Sequence, residues 1–213
     1  MKNHSYSIIA PLSKDIGSLF LGIRDYSPEI MVLLADDSTK SFAGIARQSI
    51  EGLGVPVTML HIHSCNGVRE VCKVIYKVAA KYGRDNLIIN SVSGNSLTNS
   101  IILSAAFING ISAFTIRDGE IINLPVMKYP YYRFIGERKL AILRLLNKEK
   151  CCNSLEELGK KIGMSLPLIS YHINGNRVSK GLKDLDLVDI DAKKGKVKVM
   201  LSRFGKQLIA PLE

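Results

Sequence analysis

The sequence is poor in cysteine, with four cysteines in 213 residues. Two of them, Cys151 and Cys152, are adjacent, which makes a disulfide between them difficult to form. This cysteine usage excludes a disulfide-stabilised scaffold and indicates a reducing, cytoplasmic compartment. Intrinsic disorder is excluded as well, because hydrophobic residues make up 46% of the chain.

The sequence also lacks a recognisable targeting or membrane-spanning segment. Residues 1–7 are polar, carry one lysine and have no signal-peptide apolar core. Residues 86–116 carry no charge, but asparagine and serine residues interrupt them. Their most apolar part, 101–116, contains Asn109-Gly110 and is shorter than the ~20 residues that a membrane helix needs. We therefore expect a buried strand, loop, helix and strand in this region, and no membrane partner.

Acidic residues are few relative to basic ones. The chain has 29 Lys+Arg against 19 Asp+Glu, a formal net charge of +10, and a pI of about 9.5. Residues 135–213 hold 16 basic and 9 acidic residues, whereas residues 1–134 hold 13 and 10. The smaller part therefore carries most of the excess charge. A polyanionic partner or an anionic membrane surface would explain this balance.

A proline-containing segment divides the chain. Pro130 disfavours helix at Tyr129 and cannot donate to a sheet. The sequence therefore predicts a first domain over 1–127, a linker over 128–135 and a second domain over 136–213.

The first domain alternates short apolar runs with helical patterns. The runs rarely alternate apolar with polar residues, which is typical of parallel strands that are covered on both faces. Right-handed crossovers then give an α/β fold, a Rossmann-like doubly wound parallel sheet. We predict strands at 6–12, 30–35, 55–62 and 87–90, helices at 14–26, 38–53, 68–82 and 97–107, and a hairpin of 113–117 with 120–124.

The second domain has a different order of elements. We predict helices at 137–148, 155–162, 166–173 and 178–185, strands at 187–191 and 196–201, and a closing helix at 203–209. Ser154 with Glu157 fits a capping box at the start of the second helix. Asn174-Gly175-Asn176 predicts a break or strained point in the third helix, which resumes at Val178. The residues expected to hold this helix on its neighbours are Leu168, Ile169, Ile173, Val178 and Leu182. The order is that of a winged helix-turn-helix.

Residues 136–210 resemble the winged helix-turn-helix regulators. The residues that carry this resemblance are 154–159, 163–165, 170–173 and 185–188. The resemblance implies a third helix that enters the major groove of DNA and a basic ribbon that contacts phosphates. A winged helix used for protein contacts is the alternative. The predicted DNA-contacting residues are Ser165, Ser170, Tyr171, His172, Asn174, Asn176, Arg177 and Lys180 at the third helix, with Lys193, Lys194, Lys196 and Lys198 in the ribbon.

Two polar loops of the first domain are expected to meet at the carboxyl edge of its sheet. One follows the first strand at 11–15, and the other follows the fourth strand at 91–99. Ligands of doubly wound sheets bind at this edge, and a helix N-terminus directly after a small, polar loop suits phosphate or nucleobase edges. The second loop matches neither GxGxxG nor a phosphate-binding lysine loop, and a helix cap without a ligand is the alternative.

The whole layout resembles the CRISPR-associated Rossmann-fold (CARF) transcription regulators. The resemblance implies a homodimer whose sensor domains bind a cyclic oligoadenylate, with cyclic tetra-adenylate as the candidate effector and no other cofactor. In the family the second loop often reads Thr-Gly-Gly followed by a basic residue; residues 93–97 here contain none. By similarity, the ligand-binding residues are Leu12, Ser13 and Lys14 in the first loop and Ser93, Gly94, Asn95, Ser96 and Thr98 in the second.

These features together predict a dimeric transcription regulator that binds double-stranded DNA and senses a cyclic nucleotide, and not an enzyme. The alternative is a ring nuclease that cleaves cyclic oligoadenylate, for which Ser13, Lys14 and Ser93 are the candidate groups. No Ser-His-Asp set or pair of carboxylates stands out in the sequence.

A group of histidine and cysteine residues has the spacing of a possible zinc site. His61, His63 and Cys65 alternate along a predicted strand end, and Cys72 follows on the next helix. We expect these residues to serve in packing at the strand end instead, and no metal is predicted.

Overall fold

The computed structural model describes residues 6–14, 16–63, 67–126, 135–148, 152, 154–193 and 196–209. The chain divides into two compact units, Met1–Tyr131 (unit 1) and Tyr132–Glu213 (unit 2). The predicted linker lies almost wholly outside the described residues. No helix of the described ranges is long and apolar enough to cross a membrane.

Unit 1 is a six-stranded sheet with helices on both faces. The strand order is β3-β2-β1-β4-β5-β6, and every pair is parallel except β5 with β6. The predicted α/β, Rossmann-like sheet is therefore confirmed. Its elements are β1 (Ser7–Pro11), α1 (Gly17–Tyr26), β2 (Ile30–Ala35), α2 (Lys40–Glu51), β3 (Val57–His61), α3 (Val68–Tyr82), a 3₁₀ turn (Arg84–Asn86), β4 (Leu87–Asn90), α4 (Ser96–Asn109), β5 (Ser112–Arg117) and β6 (Glu120–Leu124).

Both faces of the sheet are buried, which explains why the strands do not alternate in polarity. Ile8 and Ile9 are neighbours in β1 and are both fully buried, but they belong to different hydrophobic clusters. Ile9 packs in the cluster that includes residues of α3 and α4, and Ile8 in the cluster that includes residues of α1 and α2. Successive side chains of a strand point to opposite faces, so a doubly covered strand must be apolar throughout.

Over its described residues, unit 2 contains three helices, then a two-stranded antiparallel ribbon and a short helix. Ser154 caps the second helix, since its hydroxyl accepts from Glu157 N–H at 3.2 Å. That helix ends at Gly163, which has a φ of 73°. The elements are α5 (Glu137–Lys148), α6 (Leu155–Ile162), α7 (Leu166–Asn174), β7 (Val188–Lys193), β8 (Lys196–Leu201) and α8 (Arg203–Ile209).

The helix predicted over 178–185 is wrong. After α7 the chain turns at Gly175, which has a φ of 76°, and Gly175 forms an isolated β-bridge with Lys180. The Asn176 side chain accepts from the N–H groups of Val178 and Ser179, at 2.9 and 2.7 Å. Such local hydrogen bonds compete with helix, which is why the apolar spacing of Val178 and Leu182 misleads.

Candidate functional site

The first candidate site is the crevice at the carboxyl ends of β1 and β4. These strands are adjacent and parallel, but the chain leaves them in opposite directions. From β1 it passes through α1 to β2, and from β4 it passes through α4 to β5. The two helix N-termini therefore flank one crevice, which is the position where doubly wound sheets bind ligands.

Hydrogen bonds hold the two predicted loops together. The Ser93 hydroxyl donates to the carbonyl of Pro11 at 2.8 Å, which joins the loop after β4 to the end of β1. The buried amide of Asn90 donates to the carbonyl of Ser18 in α1 at 3.2 Å and accepts from Val92 N–H at 2.9 Å. Asn90 is not among the residues predicted from the sequence to form the site. The signal for it is an asparagine at the end of an otherwise apolar strand.

The Asn99 amide sets the shape of the second loop. Its Oδ1 accepts from Gly94 N–H at 2.8 Å, and its Nδ2 donates to the carbonyls of Gly94 and Val92 at 2.8 and 3.2 Å. Gly94 is required sterically, because a Cβ there would lie 2.8 Å from the Thr98 Cγ2 methyl. Asn95 caps α4 by accepting from Thr98 N–H at 2.9 Å. The loop is therefore fixed before any ligand arrives.

The eight predicted ligand residues divide into supporting and accessible groups. Leu12 is buried in the core, and Ser93 and Thr98 are buried as well, so these three support the crevice rather than offer their side chains. The accessible or partly accessible residues are Ser13, Lys14, Gly94, Asn95 and Ser96.

The accessible side of the crevice favours a negatively charged ligand. Neither α1 nor α4 has an acidic residue in its first turn. The first N–H groups of a helix have no partner within the helix and carry partial positive charge. Lys14, the lysine of the first loop, is exposed, with its Nζ 5.6 Å from the centre of the Phe42 ring. Together these groups can bind phosphate oxygens.

The second candidate site is the basic surface of unit 2. Ser165, Tyr171 and Asn174 are exposed along α7, and Ser170 is half-buried. Arg177, Asn176 and Lys180 are exposed too, but they lie in the turn after α7 rather than on a helix.

The backbone register of the ribbon pairs two of the predicted lysines. Lys193 and Lys196 are cross-strand partners at its end. Lys198 is partly accessible on β8, and Lys194 lies outside the described residues.

His172 does not have the position expected of a DNA contact. Only 8% of it is exposed, and neither ring nitrogen has a hydrogen-bond partner among the described residues. It helps to line a pocket of about 290 Å³ whose other walls include Glu137, Arg138, Lys139 and Tyr171. Burial lowers the pKa of His172, and the charges of Lys139 and Arg138 lower it further. The histidine is therefore part of the packing between α5 and α7.

Acidification is expected to destabilise unit 2 through His172. Because its folded-state pKa is below the ordinary 6.5, the unfolded chain binds more protons, and stability falls as the pH drops through 6.5 towards the folded value. Urea unfolding followed by circular dichroism at about pH 7.5 and about pH 5.5 tests this. The His172→Gln variant should lose less stability on acidification than the wild type. An equal loss in the two proteins would contradict the assignment.

The histidine and cysteine residues of unit 1 do not gather into a metal site within the described part of the chain. His61 Nε2 lies 3.2 Å from Asp37 Oδ1, and the N–H of His63 donates to Glu70 at 3.0 Å. Cys72 is buried, which raises the pKa of its thiol to about 12 and keeps it protonated. Cys65 lies outside the described residues.

No protein-family model matches the chain, and no curated protein matches it. Solved structures resemble it at low identity. Protein VC1899 from Vibrio cholerae aligns with a TM-score of 0.50 and 10% identity, over 97% of this chain and 64% of its own. At this identity the likeness shows the fold alone, and it agrees with the Rossmann-like sheet.

Two further solved structures align less closely. Can2 from Sulfobacillus thermosulfidooxidans, in complex with cyclic tetra-adenylate, has a TM-score of 0.47 and 12% identity, over 96% of this chain and 63% of its own. Enterococcus italicus Csm6, bound to cyclic hexa-2'-fluoro-hexa-dAMP, has a TM-score of 0.49 and 13% identity, over 85% of this chain and 53% of its own. This chain thus spans less than two thirds of the length of each of the three proteins.

Proposed function

We propose that the protein is a transcription regulator that binds double-stranded DNA through unit 2. A cyclic oligoadenylate bound in the crevice of unit 1 controls this binding, and cyclic tetra-adenylate is the first candidate. The observation that carries the proposal is the crevice between β1 and β4, where two helix N-termini flank pre-formed polar loops. Such a site favours phosphate groups. Its position after the first and fourth strands is also the one implied by the resemblance to the CARF regulators.

The charge of unit 2 supports DNA as the second partner. Residues 135–213 hold 16 basic and 9 acidic residues, and the order of three helices, a ribbon and a closing helix is typical of winged helix-turn-helix domains. Exposed polar residues of α7 are suited to base edges, and the lysines at the end of the ribbon are suited to phosphates.

A homodimer through the exposed face of α4 is part of the proposal. Leu97 and Phe107 are large hydrophobic residues that are 56% and 46% exposed, and Ser100 and Ser104 are exposed between them. The two serine hydroxyls bond back to carbonyls of their own helix, at 2.9 and 2.8 Å. This face is therefore less polar than its composition indicates, and it begins at the helix N-terminus that flanks the crevice. Sedimentation at micromolar concentration should give a dimer, and Phe107→Glu should give a monomer.

We propose ligand binding without cleavage. Of the candidate groups for ring cleavage, the Ser93 hydroxyl is buried and donates to Pro11, and Lys14 lies over the Phe42 ring. Neither contact aligns a ribose hydroxyl for attack. Incubation of the purified protein with cyclic tetra-adenylate should leave the ring intact, and linear products would favour the ring-nuclease alternative.

The Asn99→Asp variant tests the crevice. A carboxylate at this position loses the two donated hydrogen bonds to Gly94 and Val92, faces their carbonyl oxygens and adds negative charge beside the α4 N-terminus. Losses of this kind cost about 1–3 kcal/mol. We therefore expect calorimetric titration with cyclic tetra-adenylate to show an affinity about 5- to 150-fold weaker than that of the wild type.

Asn123→Asp is the matched control for that titration. Asn123 is exposed on β6, and its Oδ1 accepts from the Tyr26 hydroxyl at 2.7 Å, which a carboxylate can also do. It makes the same change in net charge away from the crevice. Equal affinities of Asn99→Asp and the wild type would contradict the proposed site.

A further inference from the structure

The segment that follows α7 projects from unit 2 as a rigid turn, which we call the 175–181 turn. It begins at Gly175, where α7 ends, and returns to the helix at Gly181. The N–H groups of Leu182 and Lys183 donate to the carbonyls of His172 and Ile173, both at 2.9 Å. The two ends of the turn are therefore fixed to the last turn of α7.

The interior of the turn is equally constrained. Asn176 N–H donates to the Ser179 carbonyl at 2.9 Å, while its side chain accepts from two further N–H groups. Gly175 and Gly181 pack so closely that a Cβ on either would lie under 3.0 Å from main-chain atoms of the other. Lys139 of α5 donates to the carbonyl of Lys180 and lies 3.4 Å from the Ser179 hydroxyl. Such a turn holds its side chains in one orientation.

The turn presents an apolar side chain between basic ones. Val178 is 95% exposed, so its branched aliphatic side chain buries almost no apolar surface in the folded unit. Arg177 and Lys180 are exposed on either side of it. The turn has no acidic residue, and Asp184, the next acidic residue along the chain, accepts from Gly181 N–H at 2.9 Å. An apolar tip with cationic neighbours fits an anionic polymer that carries apolar groups.

We infer that Val178 contacts the 5-methyl group of a thymine in the major groove of DNA, with Arg177 and Lys180 at the flanking phosphates. This inference rests on the proposed DNA binding by unit 2. The 5-methyl group is the apolar feature that a base presents in the major groove. The turn follows directly on the helix that the proposal assigns to that groove. Val178 is thus a specificity-determining residue, and the turn rather than α7 alone reads sequence.

The test removes the Val178 side chain and the thymine 5-methyl group, first separately and then together. The full chain selects its preferred duplex from a random library, and each thymine of that duplex is then replaced in turn by deoxyuridine. The wild type should lose affinity about fourfold at one thymine of each half-site, the effect of one buried methyl group. Val178→Ser should bind the original duplex with a similar loss and show no further loss at that deoxyuridine.

Ile45→Ser serves as the matched control. Ile45 is also an exposed aliphatic residue, at 62%, but lies on α2 in unit 1. This variant should keep the sensitivity of the wild type to deoxyuridine. Melting curves of both variants should match the wild type, because neither side chain is buried.

The outcomes separate this inference from the function on which it rests. If the wild type binds DNA but Val178→Ser keeps the full sensitivity to every deoxyuridine, or weakens binding to all duplexes alike, the contact with thymine is wrong and DNA binding stands. If Val178→Ser instead disrupts association of the protein in the absence of DNA, the turn is a protein contact. If the wild type selects no duplex at all, the proposed function fails first.

Discussion

The Gly181→Ala variant is expected to lose at least about 3 kcal/mol of unfolding free energy, and with it most DNA binding. A Cβ at this position would lie under 3.0 Å from the main chain of Asn174, Gly175 and Ile173. Those atoms belong to the end of α7 and cannot move away without breaking the hydrogen bonds that fix the 175–181 turn. Urea unfolding of the full chain, followed by circular dichroism, measures the loss.

Gly44→Ala is the control for this substitution. Gly44 lies inside α2, and a Cβ there would meet nothing within 4 Å. Alanine favours helix over glycine by about 1 kcal/mol, so this variant should be slightly more stable than the wild type. If Gly181→Ala unfolds at the same urea concentration as the wild type, the close packing of the turn against α7 is wrong.

The second large effect is the dependence of DNA binding on salt. A protein that neutralises six or more phosphates loses about a thousandfold in affinity between about 50 and about 200 mM salt. We expect at least this loss for the full chain, measured by fluorescence anisotropy on a duplex. The double variant Lys193→Gln, Lys196→Gln should lower the slope of log affinity against log salt by about two per protomer, because each lysine contributes about one.

The double variant Lys77→Gln, Lys81→Gln provides the charge-matched control. It removes the same two charges from α3 in unit 1. Its salt slope should equal that of the wild type if DNA contacts the ribbon specifically. Equal slopes for both double variants would instead mean that net charge alone attracts DNA.

The fold of unit 1 could be predicted because its strongest signals are local. Apolar runs such as Ile30–Ala35 and helices such as Val68–Tyr82 have the bounds that their patterns predict. The right-handed crossover rule then gives a doubly wound sheet. The order of the strands in that sheet comes from the structure and was not predicted. Helix termini shift by a few residues where capping decides them, as at Asn95, which begins α4 one residue earlier than the apolar pattern suggests.

The errors in unit 2 arise where contacts distant in sequence decide the outcome. Val178 and Leu182 have the spacing of a helix face, but the Asn176 side chain and two close glycines impose a turn. His172 lies in a polar stretch of sequence that suggests exposure, yet it is buried and faces α5. Only the packing of α5 against α7 reveals this. Likewise, the composition of the loop after β4 indicates polar ligand contacts, but not that Ser93 and Asn99 are engaged in holding the loop.

In the proposed regulator, a ligand in unit 1 changes DNA binding by unit 2, and one thermodynamic cycle measures this coupling. The affinity of the full chain for its selected duplex is measured with and without saturating cyclic tetra-adenylate, and the affinity for cyclic tetra-adenylate with and without the duplex. We expect the same factor in both comparisons, about 5- to 150-fold. Asn99→Asp should show the change in DNA affinity only at correspondingly higher concentrations of cyclic tetra-adenylate. Affinities for DNA that are equal with and without bound cyclic tetra-adenylate would contradict the proposed coupling.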